Sequence, residues 1–214
     1  MSYQTEEEQI ERIKEVWQRH GAPVLTGVVL ALAGVFGWNG WTNHQENKAL
    51  NASAIYQNML ESVLQDDSEA NRARGAELAA QLRSDYAGTQ YAHYAALMQA
   101  RLAVESGDFA TAEGLLREVS DDADDVALEE IARQRLARVL AQLDRAEEGL
   151  ALFSSPVTGE LLAGREEVRG DLLLALGRTG DARQAYQAAL EATADQRSRP
   201  QLQLKLDDLA EEAS

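Results

Sequence analysis

Three histidines and one aspartate cluster are the residues of this 214-residue chain whose types could do chemistry. None stands in a pattern that does. His20 and His44 flank a long apolar run, and His93 lies between Tyr91 and Tyr94 on a helical stretch. All three read as interfacial or packing histidines rather than metal ligands. Asp121-Asp122-Ala123-Asp124-Asp125 lacks the Gly and the terminal Glu of a calcium loop and reads as a solvated, helix-capping turn. No His-Glu-x-x-His, Gly-x-Ser-x-Gly or phosphate-cradling Gly-x-x-x-x-Gly-Lys run occurs. Zero Cys removes thiol catalysis, disulfides and cysteine-bound zinc together. The expectation is a non-enzyme without cofactor or metal. The chemistry left is recognition. Tyr94, Leu97, Arg101, Val104, Arg133 and Arg178 fall on what read as the first helices of successive hairpins. Tyr and Arg are residue types that dominate binding hot spots, so these six are expected to line a partner-binding groove.

The elements that position them begin with a membrane anchor. From His20 to Gln45 there is no Asp, Glu, Lys or Arg, and all three Trp bracket the run: Trp17 before it, Trp38 and Trp41 near its end. A hydrocarbon core of roughly 30 Å needs about 20 apolar helical residues. At about 1.5 Å per residue, Trp17 and Trp38 lie roughly 31 Å apart, a spacing that suits the two interfaces. The expected division is a tail over 1–20, a transmembrane helix over 21–43 and a folded domain over 44–214. The tail carries a capping box, Thr5 with Glu8, and an apolar stripe of Ile10, Ile13 and Trp17. Arg12, Lys14 and Arg19 precede the span and only Lys48 follows it closely. The positive-inside rule then places the N-terminus in the cytoplasm. A cleaved signal peptide fits less well, because Ala52-Ser53-Ala54, the one cleavage-like box, lies well past the apolar run. Within the span, Gly27, Ala31 and Gly34 form a small-residue stripe that would let another membrane helix approach.

The net charge is −16, and residues 46–214 hold 31 acidic against 17 basic side chains. Such a domain is repelled by nucleic acid and by anionic headgroups. With three Pro, few aromatics and much Ala and Leu, it is expected to be all-α. Gln65-Asp66-Asp67-Ser68 and Ala87-Gly88-Thr89 break the early helices, with Ser68 or Asp67 as a cap. A pattern then recurs. Gly107-Asp108 with Ala112 matches Gly180-Asp181 with Ala185, the two glycines 73 apart, or two repeats of about 36. Asp144-Arg145-Ala146 marks a degenerate middle copy, with Gly149 in the place of the Ala. Gly ends a first helix, Asp caps the second, and the small residue lets the two pack closely. Each hairpin buries one face and needs neighbours, which is the logic of a solenoid. Leu202, Leu204, Leu206 and Leu209 after Pro200 suit a terminal capping helix. The expected fold is therefore all-α: one N-terminal transmembrane helix, then a tetratricopeptide-like α-solenoid of helical hairpins with a C-terminal cap.

The whole resembles the family of bacterial ancillary SecYEG translocon subunits, the YfgM family. The residues that carry the resemblance are Thr5-Glu-Glu-Glu-Gln-Ile-Glu-Arg-Ile-Lys14, Trp17, Gly37-Trp38-Asn39-Gly40-Trp41, Gly170-Asp171-Leu-Leu-Leu-Ala-Leu-Gly177, Ala182-Arg-Gln-Ala-Tyr186 and Lys205-Leu-Asp-Asp-Leu209. Gln18 stands where many relatives have a second Trp. The resemblance implies a single-span inner-membrane protein with a periplasmic tetratricopeptide-like domain. It implies association with SecYEG and with a membrane-anchored periplasmic chaperone of the prolyl-isomerase type, and a role in handing exported polypeptides to periplasmic folding factors. The alternative is an anchored adaptor in envelope assembly or stress signalling that does not touch nascent chains.

Overall fold

The computed structural model describes the backbone of residues 3–65, 68–194 and 200–211; side chains are not described for 1–9, 12–13, 15–16, 19–24 and 210–211. The Thr5–Glu8 capping box, Ile13 and Asp67 therefore lie outside the described residues. The described chain is all-α with no strand. Its helices are α1 (Tyr3–Gln65), α2 (Glu69–Asp85), α3 (Gln90–Glu105), α4 (Phe109–Asp122), α5 (Val126–Gln142), α6 (Ala146–Ala151), α7 (Gly159–Ala175), α8 (Thr179–Ala192) and α9 (Pro200–Glu211). They divide into two compact units, Met1–Asn51 and Ala52–Ser214, with the boundary inside α1.

The first unit is a helix that exposes its apolar side chains. Leu25, Val28, Val29, Leu30, Leu32, Val35 and Phe36 all stand at least half exposed, as do Trp17, Trp38 and Trp41. The stretch is long and apolar enough to cross a membrane and none of it is buried. A soluble protein would bury such a face, whereas lipid would cover it without a protein partner.

The second unit is a stack of helical hairpins. Sequence caps set its element boundaries: Ser68 accepts from the Asn71 amide (3.3 Å), Thr89 from Ala92 (3.4 Å) and Asp108 from Thr111 (3.0 Å). Asp125, last of the aspartate run, accepts from the amides of Ala127 (2.8 Å) and Leu128 (2.9 Å). Each cap satisfies orphan amides that a helix start would otherwise leave bare.

The hairpin turns correct the expected repeat register. Three turns share one hydrogen-bond pattern, in which the residue after the left-handed position donates back to the first helix: Asp108 to Ala103, Arg145 to Leu140 and Arg178 to Leu173. The left-handed residues are Gly107 (φ 79°), Asp144 (φ 59°) and Gly177 (φ 71°). Gly177, not Gly180, is thus the partner of Gly107, and Gly180 sits inside the first turn of α8. The Gly180-Asp181 dipeptide copies Gly107-Asp108 in letters only. Backbone geometry, which needs φ > 0 where the first helix ends, decides the match. Counted from each left-handed residue, Ala112, Gly149 and Ala182 then occupy the same close-packed place, and all three are buried.

The core runs through the hairpins. Leu97, Leu116, Leu128, Leu136 and Leu140 form one cluster among α3, α4 and α5. Met59, Leu78 and Leu82 form another that joins the end of α1 to α2. The last hairpin buries Tyr186, whose ring lies where a Cβ on Gly170 would come within 2.3 Å of it. Its hydroxyl donates to Asp171 (2.8 Å), and Lys205 of α9 donates to the same carboxylate (2.6 Å) and to Glu167 (3.1 Å). Gly170 and Asp171 of α7, Tyr186 of α8 and Lys205 of α9 thus fasten the cap helix to α7 and α8. Leu202 and Leu209 of α9 are buried, while Leu204 of the expected stripe points to solvent.

Candidate partner-binding site

The first full hairpin and the helix that follows it enclose a groove of about 570 Å³. One wall is α3, where Leu97, Arg101 and Val104 recur at helical spacing; the other is α5, with Arg135, Arg138 and Gln142. Phe109 and Leu116 of α4 form the floor. The Gly107 turn and the Asp108 cap fix the angle at which α4 leaves α3, and so the depth of the floor. A volume of this size fits one large side chain with its flanking backbone.

The groove's charge is positive although the domain's is negative. Arg101 Nε donates to Glu105 (2.7 Å), which neutralises both. Arg135 and Arg138 have no carboxylate partner among the described residues. Arg135 is exposed and lines the α5 wall. Partial desolvation, with the cations of Arg138 and Arg101 beside it, holds its pKa below the usual arginine value.

Of the six residues expected to line the groove, the structure brings Leu97, Arg101 and Val104 together in it. Tyr94 is one turn away on the same helix and packs against Tyr56 (5.5 Å between centroids, tilted) and edge-to-face against Tyr91 (6.2 Å). Burial, with Tyr94 and Tyr91 next, pushes the Tyr56 phenol above its usual pKa. Arg133 lies off the groove and pairs with Glu129 of its own helix. Arg178 is not on a first helix: it is the N-cap residue of α8, pairs with Asp181, and borders a separate hollow with Phe153, Arg165 and Arg169. The slipped repeat register accounts for that displacement. Arg135 and Arg138 are the residues that sequence reasoning missed, and a signal for them exists. Arg133 has Glu129 four residues before it, Arg101 has Glu105 four after, and Arg178 has Asp181 three after, whereas Arg135 and Arg138 have no acid three or four residues away.

In the first unit, Gly27, Ala31 and Gly34 are exposed, and a Cβ built on either glycine meets nothing within 4 Å. Trp38 and Trp41 touch one another, with centroids 5.6 Å apart.

An apolar helix on one unit and a groove-bearing stack of hairpins in the other define a membrane-associated helical-repeat scaffold. A family model described as a tetratricopeptide repeat-like domain matches residues 14–211. The chain is similar to an "Ancillary SecYEG translocon subunit" of Haemophilus influenzae, 32% identical over 98% of this chain and 100% of that one. Relatives of the same name come from Aggregatibacter actinomycetemcomitans (34% identical over 89% of this chain and 92% of that one) and Escherichia coli K12 (28% over 97% and 98%). The chain belongs to this family of tetratricopeptide repeat-like ancillary translocon subunits. No solved structure matches it.

Proposed function

We propose that this chain is an inner-membrane-anchored scaffold and chaperone of the Sec translocon. In this reading residues 1–20 are cytoplasmic, 21–43 cross the membrane once, and 44–214 work in the periplasm. The likeness to ancillary SecYEG translocon subunits along nearly the whole of both chains carries the reading. Two features support the topology: the uncovered apolar face of α1, and the Arg12, Lys14 and Arg19 excess before the span. The partners are SecYEG, a membrane-anchored periplasmic prolyl-isomerase-like chaperone, and the exported polypeptides passed between them. The Gly27, Ala31 and Gly34 stripe offers close helix packing inside the membrane, and the α3–α5 groove offers a surface outside it. The chemistry is binding, not catalysis.

Affinity purification of the tagged full-length chain from membranes in mild detergent tests the association. Recovery of translocon subunits is the expected result; recovery of envelope-assembly machinery alone would favour an adaptor role instead. Topology is checked by the Glu147→Cys variant of this cysteine-free chain. A membrane-impermeant maleimide should label it in intact spheroplasts, and labelling only after lysis would reverse the orientation.

A further inference from the structure

We propose that the groove between α3 and α5 binds acidic–apolar polypeptide segments, seating an apolar side chain on Leu97, Val104, Phe109 and Leu116 while neighbouring carboxylates pair with Arg135 and Arg138. The inference rests on the reading of this face as a partner surface and names the chemistry of what it holds.

Three observations lead there. The first is the pairing of cations elsewhere in the domain. Arg83 reaches Glu118 (2.6 Å), Arg145 reaches Glu113 (2.6 Å), Arg169 reaches Glu166 (3.0 Å) and Arg165 is buried against Glu130. With acids outnumbering bases by nearly two to one over residues 46–214, an arginine without a carboxylate is the exception. Arg135 and Arg138 are two such exceptions, one turn apart and on the same wall. The second is the like charge gathered around Arg135. Arg138 and Arg101 both disfavour the charge on Arg135, and the one carboxylate on the rim, Glu105, is taken by Arg101. An incoming carboxylate would relieve that repulsion and make charge-assisted hydrogen bonds in a partly water-excluded site. The third is the floor. Phe109 of the floor is only partly buried and Val104 of the α3 wall beside it is 39% exposed, so apolar surface stays open in the groove that the cations line. A free anion would use the arginines and leave this step bare. A peptide with both features would cover both.

Charge also separates this occupant from others. An anionic membrane sheet would meet the repulsion of the whole acidic domain, and so would a second copy. A short segment that enters the groove is screened from distant carboxylates beyond about 10 Å and feels chiefly the two arginines.

The test uses the full-length protein in mild detergent and three fluorescent twelve-residue peptides that alternate Leu and Phe with Glu, Gln or Lys. Anisotropy should show the Glu peptide binding at least about tenfold tighter than the Lys peptide, with the advantage falling as salt is added. The double variant Arg135→Glu, Arg138→Glu should weaken the Glu peptide by at least about tenfold and strengthen the Lys peptide. Both positions are solvent-exposed and unpaired, and an unchanged circular dichroism spectrum confirms that the variant is folded. Three peptides that bind alike, or a Glu-peptide affinity that survives the double substitution, would overturn the proposal. So would a dimer in sedimentation that the double substitution breaks, which would give the groove to a second copy. The purification described above, run on the same variant, keeps the two readings apart. Translocon recovery with lost peptide discrimination supports both. Peptide discrimination by the unsubstituted protein, lost in the variant, with translocon subunits recovered by neither, sinks the functional reading and leaves the groove's chemistry standing.

Discussion

Helix α5 carries polar groups on two faces, and the structure treats them in opposite ways. Toward α7 it presents Glu130 and Gln134. Glu130 is 1% exposed and meets Arg165, itself 4% exposed, from a helix two elements later. Arg165 Nε donates to Glu130 Oε1 (2.9 Å) and Nη2 donates to Oε2, a bidentate fork. Gln134 donates to Glu130 (2.9 Å) and to the Leu161 carbonyl (3.0 Å), Arg165 reaches the Ser155 carbonyl, and its guanidinium lies 5.4 Å from the Phe153 ring centre. Toward α3 the same helix presents Arg135 and Arg138, and the one acid on that side, Glu105, is taken by Arg101. The seam is closed; the groove is open. Two charges taken out of water persist only when every donor and acceptor is met, so the seam reads as structure. An unpaired, solvent-reachable cation costs the fold little, and is free to serve a partner.

That contrast predicts unequal responses to substitution. The largest belongs to the seam. Arg165→Met should leave Glu130 buried without its cation and cost about 3–5 kcal/mol, read as a lower urea midpoint. A cost near that of a surface change would erase the distinction between the faces. Next is Gly164→Ala. A Cβ there would lie 2.6 Å from Gln134 Oε1 and must push the amide off its partners. The expected loss is about 1–3 kcal/mol, from leaving a buried polar group unsatisfied. A smaller effect comes from pH. Glu113 is held below its ordinary value of 4.5 by hydrogen bonding from Arg145, then Arg117. A carboxylate with a depressed folded pKa stabilises fully above its unfolded value and loses that contribution as pH falls through the lower one. Urea midpoints should therefore begin to fall below about pH 4.5, and Glu113→Gln should flatten that limb. Smallest of all, Arg135→Gln with Arg138→Gln should shift stability by no more than about 0.5 kcal/mol, because no hydrogen bond is lost and a like-charge contact is relieved. A large loss would mean that these arginines hold the fold after all.

Local signals account for most of what the sequence discloses. Ser68, Thr89, Asp108 and Asp125 cap helices where their side chains suggest, since capping reaches only two or three residues along the chain. The apolar face of α1 is legible for the same reason: composition alone defines it. The groove's first wall is legible because Leu97, Arg101 and Val104 share a helical period within one element. Its second wall depends on the register of α5 against α3, and Arg133, expected there, instead pairs with Glu129 of its own helix. The seam was out of reach, as Glu130 and Arg165 lie 35 residues apart and only the packing of α5 on α7 brings them together. The same holds for Gly170 and Tyr186, whose fit depends on how α8 crosses α7. The slip from Gly177 to Gly180 shows the limit of matching letters. Gly107-Asp108 and Gly180-Asp181 match as letters, but the positive φ that turns the chain falls at Gly107 and Gly177.

The central claim is that the open face of α5 and its α3 counterpart meet the translocon or the chains that leave it. Photocrosslinking in living cells tests it most directly, with a photoreactive amino acid in place of Val104 in the groove and, in parallel, in place of Glu147 on the exposed surface of α6. The account predicts adducts with translocon subunits or exported polypeptides from position 104 and few from position 147. Equal yields from both positions, or adducts at 104 with neither class of partner, would contradict it.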